Sequence, residues 1–224
     1  MKHLELFSGT HSFGKVSSKL GFEVISLDRD LGAECPFGSG YVSTNHIKTD
    51  IMTWDYKIYP QHHFDIITAS PSCFYWSPMR KIHYGKKLKA HNGRVFCEKI
   101  LFEDIEKFGI PMVDKVFEIL DYFKPKYYLI ENPKLGSMKE YINDLIPYVD
   151  VNYCRYGFNY KKPTRLWTNI KFDGLICNHK KHIGSCGGVT GRNKGRGGGN
   201  NRLPRYVIPP KLIEEFFSKI ISNI

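Results

Sequence analysis

Short apolar runs alternate along this chain with stretches whose apolar residues fall at helical spacing, and this rhythm restricts the possible folds more than any other feature. A strand, a helix and another strand in repetition build a mostly parallel sheet with helices on both faces, the α/β class of Rossmann-like folds. Leu4 to Phe7, Glu23 to Leu27, Asn45 to Thr49 and Phe64 to Ala69 read as strands, and Ser12 to Leu20 as a helix. Val113, Val116, Phe117 and Leu120 stand at i, i+3, i+4 and i+7, so Met112 to Phe123 is predicted to be an amphipathic helix. Lys124-Pro125 ends it ahead of the apolar run Tyr127 to Ile130. Val149 to Cys154 and Thr164 to Ile170 read as further strands, and Pro210 to Ile221 as a last helix. With 224 residues, 42% of them hydrophobic, the chain can bury one full-sized core.

The ends of these strands carry the reactive residues. Ala69-Ser70-Pro71-Ser72-Cys73 follows one apolar run and Glu131-Asn132-Pro133 follows another, which sets a thiol and a carboxylate just beyond two buried strands. Taken singly, each has a plain structural explanation, because free cysteines often serve as small core residues and a Glu after a strand is often solvated. The first strand runs into Phe7-Ser8-Gly9-Thr10-His11-Ser12-Phe13-Gly14, a Gly-containing turn that opens a helix and lets backbone amides approach a carboxylate or phosphate. Asp28, at the end of the second strand, suits ribose hydroxyls. Asp50-Ile51, after the third, suits an adenine, the carboxylate pairing its amino group and the isoleucine covering the ring. Together they outline a site for a nucleoside-containing cofactor.

A net charge of +11 points to a polyanion, nucleic acid first. The basic residues concentrate in two places. Residues 78 to 110 hold Arg80, Lys81, Lys86, Lys87, Lys89 and Arg94, a composition suited to a mobile basic loop, and residues 184 to 202 are Gly-rich with Arg192, Lys194, Arg196 and Arg202. The six cysteines are scattered and no signal peptide is visible, so reduced thiols in an intracellular protein are expected. No apolar run reaches membrane-spanning length. Cys177, His179, His182 and Cys186 are four soft-metal ligands within ten residues, but their spacing is not a familiar zinc pattern; a cationic surface loop is the first reading and structural zinc the second.

In order along the chain, Leu4-Glu5-Leu6-Phe7-Ser8-Gly9-Thr10, Ser70-Pro71-Ser72-Cys73 with Ser77, and Ile130-Glu131-Asn132-Pro133 resemble the motifs of the cytosine-C5 DNA methyltransferases. Tyr153 to Phe158 with Lys161 to Asn169 is similar to the version found in small phage and virus members, and Val207 to Leu212 to the segment that closes the fold. The resemblance implies a methyltransferase fold that uses S-adenosylmethionine and releases S-adenosylhomocysteine. Cofactor contacts would come from Phe7, Ser8, Gly9, Thr10, His11, Phe13 and Gly14, then from Asp28, Arg29, Asp50, Ile51 and Pro71. It also implies Cys73 as the nucleophile that adds to carbon 6 of a flipped-out cytosine, Glu131 as the group at ring N3 and the amine, and Arg165 as the cation holding base and thiolate. DNA contacts are expected from Ser77, Arg80, Lys81, Lys86, Lys87, Arg94, Lys161 and Lys162, and from Arg192, Lys194 and Arg196.

The organisation so implied is a catalytic domain over 1–176, a short basic insert over 177–204 in place of a target-recognition domain, and a completing segment over 205–224. Without a platform for base readout, short or relaxed specificity is expected, or a partner protein that supplies it. The chain departs from the family pattern at Ser72, Phe74, His11 and Arg205-Tyr206. Methylation of RNA, such as a tRNA loop, and a degenerate member that binds without turnover therefore stay open beside the DNA reading. Amino-group methylation is disfavoured, since it needs no cysteine. A monomer is expected, acting in the cytoplasm of a bacterial host or at a site of viral replication.

Overall fold

The computed structural model describes residues 1–29, 45–142, 145–158, 160–178 and 207–223. Seven strands form one sheet in the order β3-β2-β1-β4-β5-β7-β6. They are β1 (Lys2–Leu6), β2 (Glu23–Asp28), β3 (His46–Lys48), β4 (Ile66–Ala69), β5 (Tyr127–Pro133), β6 (Tyr148–Asn152) and β7 (Pro163–Thr168). The first five run parallel, and β7 inserts antiparallel between β5 and β6. The strand order reverses between β1 and β4, so the crevice at their carboxyl ends is the natural ligand site of such a sheet.

Central strands covered on both faces read as continuous apolar runs, and Leu4, Leu6, Ile66 and Ile67 are all essentially inaccessible. One core packs α3 (Ile110–Phe123) against the sheet through Val113, Val116, Ile119 and Phe123. The predicted Phe117 and Leu120 lie at its margin, so the buried stripe is rotated slightly from the expected one. The helix stops at Lys124, whose left-handed backbone (φ 47°) precedes Pro125. The opposite core joins α1 (Ser12–Lys19) to α5 (Pro210–Ile221) around Phe13, Leu212, Phe216 and Phe217. Ile208 N–H donates to Ser12 Oγ at 3.1 Å, tying the end of the chain to the start of α1.

The expected mobile loop over 78–110 is instead a folded element. Pro78–His83 and Lys89–His91 are 3-10 turns, α2 covers Glu98–Asp104, and a π-helical turn over Ile105–Gly109 feeds α3. The buried Phe96, Ile100 and Leu101 anchor it, an apolar pattern masked in the sequence by the lysines around it. Two strands also end early: Tyr153–Tyr156 is a 3-10 turn rather than the end of β6, and β7 stops at Thr168. α4 spans Met138–Ile142. Among the described residues no helix is long and apolar enough to cross a membrane.

Candidate active site

The turn after β1 is shaped by its backbone. Phe7, Gly9 and His11 have φ of 54°, 45° and 54°, a left-handed conformation that costs a side-chain-bearing residue energy and persists only where the surroundings impose it. Beneath it lies Glu5, buried in β1 and unremarked in the sequence, whose Oε1 accepts from Phe13 N–H at 3.0 Å and whose Oε2 accepts from Ser26 Oγ at 2.8 Å. His11 makes no side-chain cap, so Glu5 satisfies this first-turn amide of α1 instead. Gly14 is required here, since a Cβ would sit 2.6 Å from Glu5 Oε2. Gly9 N–H donates to Asp28 Oδ2 at 2.8 Å, joining the turn to the end of β2. His46 of β3 stacks edge-on to His11, and burial pushes its imidazole pKa down, with His11 contributing next.

The other cofactor candidates divide by position. Asp28 is half-buried at this edge and Arg29 is exposed beside it, while Thr10 Oγ1 lies 2.8 Å from Ser12 Oγ. Asp50 Oδ1 accepts from Met52 N–H at 2.9 Å. Phe13 and Ile51 are buried in the two cores and present little surface. Ser8 Oγ is buried in this turn with no hydrogen-bond partner among the described residues.

Cys73, the expected nucleophile, is located by contacts from distant strands. Asn132 Nδ2, buried in β5, donates to the Pro71 carbonyl at 2.9 Å and fixes the Cys73 turn against the strand that carries Glu131. Ser137 N–H donates to the Trp76 carbonyl at 2.9 Å, closing the far side of that turn. Gly109, in the π turn, has no room for a side chain against the Trp76 ring, 3.0 Å from where a Cβ would stand. Cys73 is half-buried. Burial pushes its thiol pKa up and the nearby Glu131 charge adds to this, while Lys162 pulls it back. Glu131 Oε1 accepts from Tyr153 O–H at 3.0 Å, and Lys162 Nζ stands 3.5 Å from the same oxygen. Burial and the Glu131 charge drive Tyr153 well above its ordinary pKa and Tyr160 up to about 12, so both remain phenols.

Arg165 does not join this group. Its Nε and Nη2 donate to Asp150 Oδ1 and Oδ2 at 2.8 and 3.0 Å, and its guanidinium lies 3.6 Å over the Tyr148 ring. In the ladder it faces Asn132 and Asp150, whereas Glu131 faces Leu166, so the two side chains leave opposite faces of the sheet. Arg80 is likewise turned inward. Its guanidinium pairs with Asp104 and is sandwiched between the Phe74 and Phe96 rings, each 4.9 Å away, so its charge is committed to holding the post-Cys73 segment. Lys81, Lys86 and Lys87 are exposed along that segment; Arg94 is exposed and paired with Glu103 at 3.0 Å; Ser77 caps a 3-10 turn. Lys161 is half-buried, its carbonyl accepting from Tyr153 N–H at 2.9 Å. Arg192, Lys194 and Arg196, with His179, His182 and Cys186 of the zinc candidate and nearly all of the 177–204 insert, lie outside the described residues. Glu5, Asn132 and Tyr153 had no assigned role in the sequence reading, although a charged residue inside the apolar run Leu4 to Phe7 was a usable sign.

No family model matches the chain. Its sequence is 34% identical over 234 residues, 96% of this chain and 98% of the relative, to a probable DNA (cytosine-5)-methyltransferase of Frog virus 3 (isolate Goorha). The fold is similar to that of a DNMT2 protein of Spodoptera frugiperda, with 18% identity, a TM-score of 0.50, and 83% of this chain and 57% of that one covered. It is also similar to the methyltransferase EhMeth of Entamoeba histolytica, with 14% identity, a TM-score of 0.51, and 81% and 57% covered. Those two likenesses establish the Rossmann-like methyltransferase fold alone, and the chain spans little more than half of either structure. The viral relative aligns across both chains nearly end to end, and by that likeness the protein belongs to the DNA (cytosine-5)-methyltransferase family.

Proposed function

We propose that the enzyme methylates carbon 5 of a cytosine extruded from DNA, through a covalent bond between Cys73 and carbon 6. Carbon 5 is a poor nucleophile until a thiolate adds at carbon 6 and pushes the ring electrons toward it. Cys73 forms that bond, and Glu131, carrying a proton, donates from one oxygen to ring N3 as negative charge develops there while its other oxygen accepts from the exocyclic amine. After methyl transfer the carbon 5 proton passes to a solvent base, and the electron pair of that C–H bond re-forms the ring double bond as Cys73 departs as its thiolate. The residues around the β1 turn fit S-adenosylmethionine: a bent backbone with amides near a helix start, the orphaned Ser8 Oγ, and Asp28 and Asp50 at successive strand ends. When bound there, that cofactor supplies the methyl group.

The observation that carries this reading is the Asn132 to Pro71 hydrogen bond, which holds the thiol-bearing turn on the strand of the carboxylate. A stacked duplex hides the base from such a pocket, so extrusion is required. The exposed Lys81, Lys86 and Lys87 would meet phosphates and carry no sequence information. We further propose relaxed specificity in a chain that acts as a monomer, with 177–204 as its basic insert and 205–224 completing the catalytic domain. Incubation with S-adenosylmethionine and DNA containing 5-fluorocytosine, which blocks the final elimination, tests the mechanism by intact mass. A covalent complex that disappears in Cys73→Ala is expected. Trapping on RNA alone would move the substrate class, and cofactor binding without any adduct would favour a member that has lost turnover.

A further inference from the structure

Arg165, expected to hold base and thiolate, and Lys162, expected to contact DNA, lie on different sides of the sheet. Arg165 is paired with Asp150 on the side of the sheet away from Glu131, and Lys134 Nζ adds a second contact to the same carboxylate at 2.8 Å. Lys162 lies on the other side, its Nζ 3.5 Å from Glu131 Oε1 and 4.6 Å from the centre of the Tyr153 ring. Its side chain is only 16% exposed, which is unusual for a lysine that serves only a solvated surface. The backbone there is forced as well: Lys162 has φ 23° immediately before Pro163, a conformation held by the Tyr153 to Lys161 and Lys134 to Pro163 backbone hydrogen bonds.

We propose that Lys162, and not Arg165, is the cation of the catalytic pocket: it holds the Glu131 carboxylate in place and favours the thiolate of Cys73. The inference rests on Cys73 being the nucleophile. The charged and titratable groups acting on the thiol are Glu131 and Lys162, and those around Glu131 are Tyr153, Tyr160 and Lys162. Both tyrosines stay protonated across the assay range, so Lys162 is the one positive charge among these that opposes burial and Glu131. A thiol pushed up by its surroundings and left without that cation would open to attack only at more alkaline pH.

The test needs neither DNA nor cofactor and so succeeds or fails apart from the methylation reading. The rate of iodoacetamide modification of Cys73, followed by peptide mass against pH on the folded full chain, gives the thiol midpoint. In Lys162→Met the midpoint should move up by about one unit, and in Lys162→Arg it should return toward the parent. Arg165→Met, or Asp150→Asn if that variant fails to fold, should leave it in place. With 5-fluorocytosine DNA, Lys162→Met should form adduct slowly at neutral pH and recover as the pH rises, a response that simple loss of packing would not give. An unmoved midpoint in folded Lys162→Met, or a larger shift on losing Arg165, would overturn the proposal.

Discussion

The two halves of the sheet's carboxyl edge hold their functional groups by different means. Around β1 the chain itself is bent: Phe7, Gly9 and His11 all have positive φ within five residues, supported from below by Glu5. Around β4 no residue from Ser70 to Ser77 has a positive φ, and the Cys73 turn is located by Asn132, 61 residues away, and by amides and rings of the segments that follow. A site built from local backbone geometry keeps its shape when remote contacts change, whereas one built from long-range tethers fails when a single tether is lost. The contrast matches the chemistry proposed for each half. A cofactor cradle needs fixed amides, and a nucleophile needs its position set relative to a carboxylate on another strand.

The largest effect should come from the nucleophile half. Glu131→Gln should slow methyl transfer by about 10²- to 10⁴-fold while the S-adenosylmethionine dissociation constant, measured calorimetrically, stays put; a parallel loss of cofactor binding would break the division between the halves. Next in size is an acid sensitivity at the seam. His3, wholly buried between Ser17 Oγ and Thr68 Oγ1 at 2.8 and 2.9 Å, has its pKa lowered by burial to about 4. Its unfolded form gains a proton below pH 6.5 and its folded form only near 4, so its contribution is complete above 6.5 and lost progressively as the pH falls to 4. About 3 kcal/mol should vanish over that window in urea unfolding, and His3→Gln should flatten the slope.

Asn132→Ala should cost about 1–3 kcal/mol of stability in urea unfolding and lower activity, because it frees the Pro71 carbonyl. Gly14→Ala is its counterpart in the other half. The clash with Glu5 should cost about 1–3 kcal/mol and raise the cofactor dissociation constant, with the alkylation profile of Cys73 unaltered. The smallest effect is expected at His11, where glycine would relieve a left-handed backbone; His11→Gly should raise the thermal midpoint by the equivalent of about 1 kcal/mol.

Much of this was legible before any coordinates. The period of the apolar residues gives away β1, β4, β5, α3 and α5 because each buries a continuous or striped face, and the motifs at the strand ends mark both halves of the site. The segment 78–110 reads as a loop because its lysines dominate composition, while four buried apolar side chains, Phe96, Ile100, Leu101 and Ile105, anchor its fold. The same holds for Arg80. Composition treats every arginine as a surface charge, and only the position of Asp104 in the fold shows that this one faces inward. A motif names Arg165 without its direction, and because a strand sends successive side chains to opposite faces, only the pairing of β7 with β5 sets it on the side away from Glu131.

The sequence by itself determined the α/β class, the parallel strands, the thiol and carboxylate at their ends and the backbone bend after β1, because these follow from local periodicity and from residues whose function is set by near neighbours. Only the tertiary structure decided that Asn132 ties the Cys73 turn to the strand of Glu131, that Glu5 takes the place of a cap on α1, and that Lys162 rather than Arg165 lies beside the carboxylate. Such assignments depend on strand register and on pairs of residues far apart in the chain. Neither leaves a periodic trace in one sequence, since both are fixed by how the elements pack together.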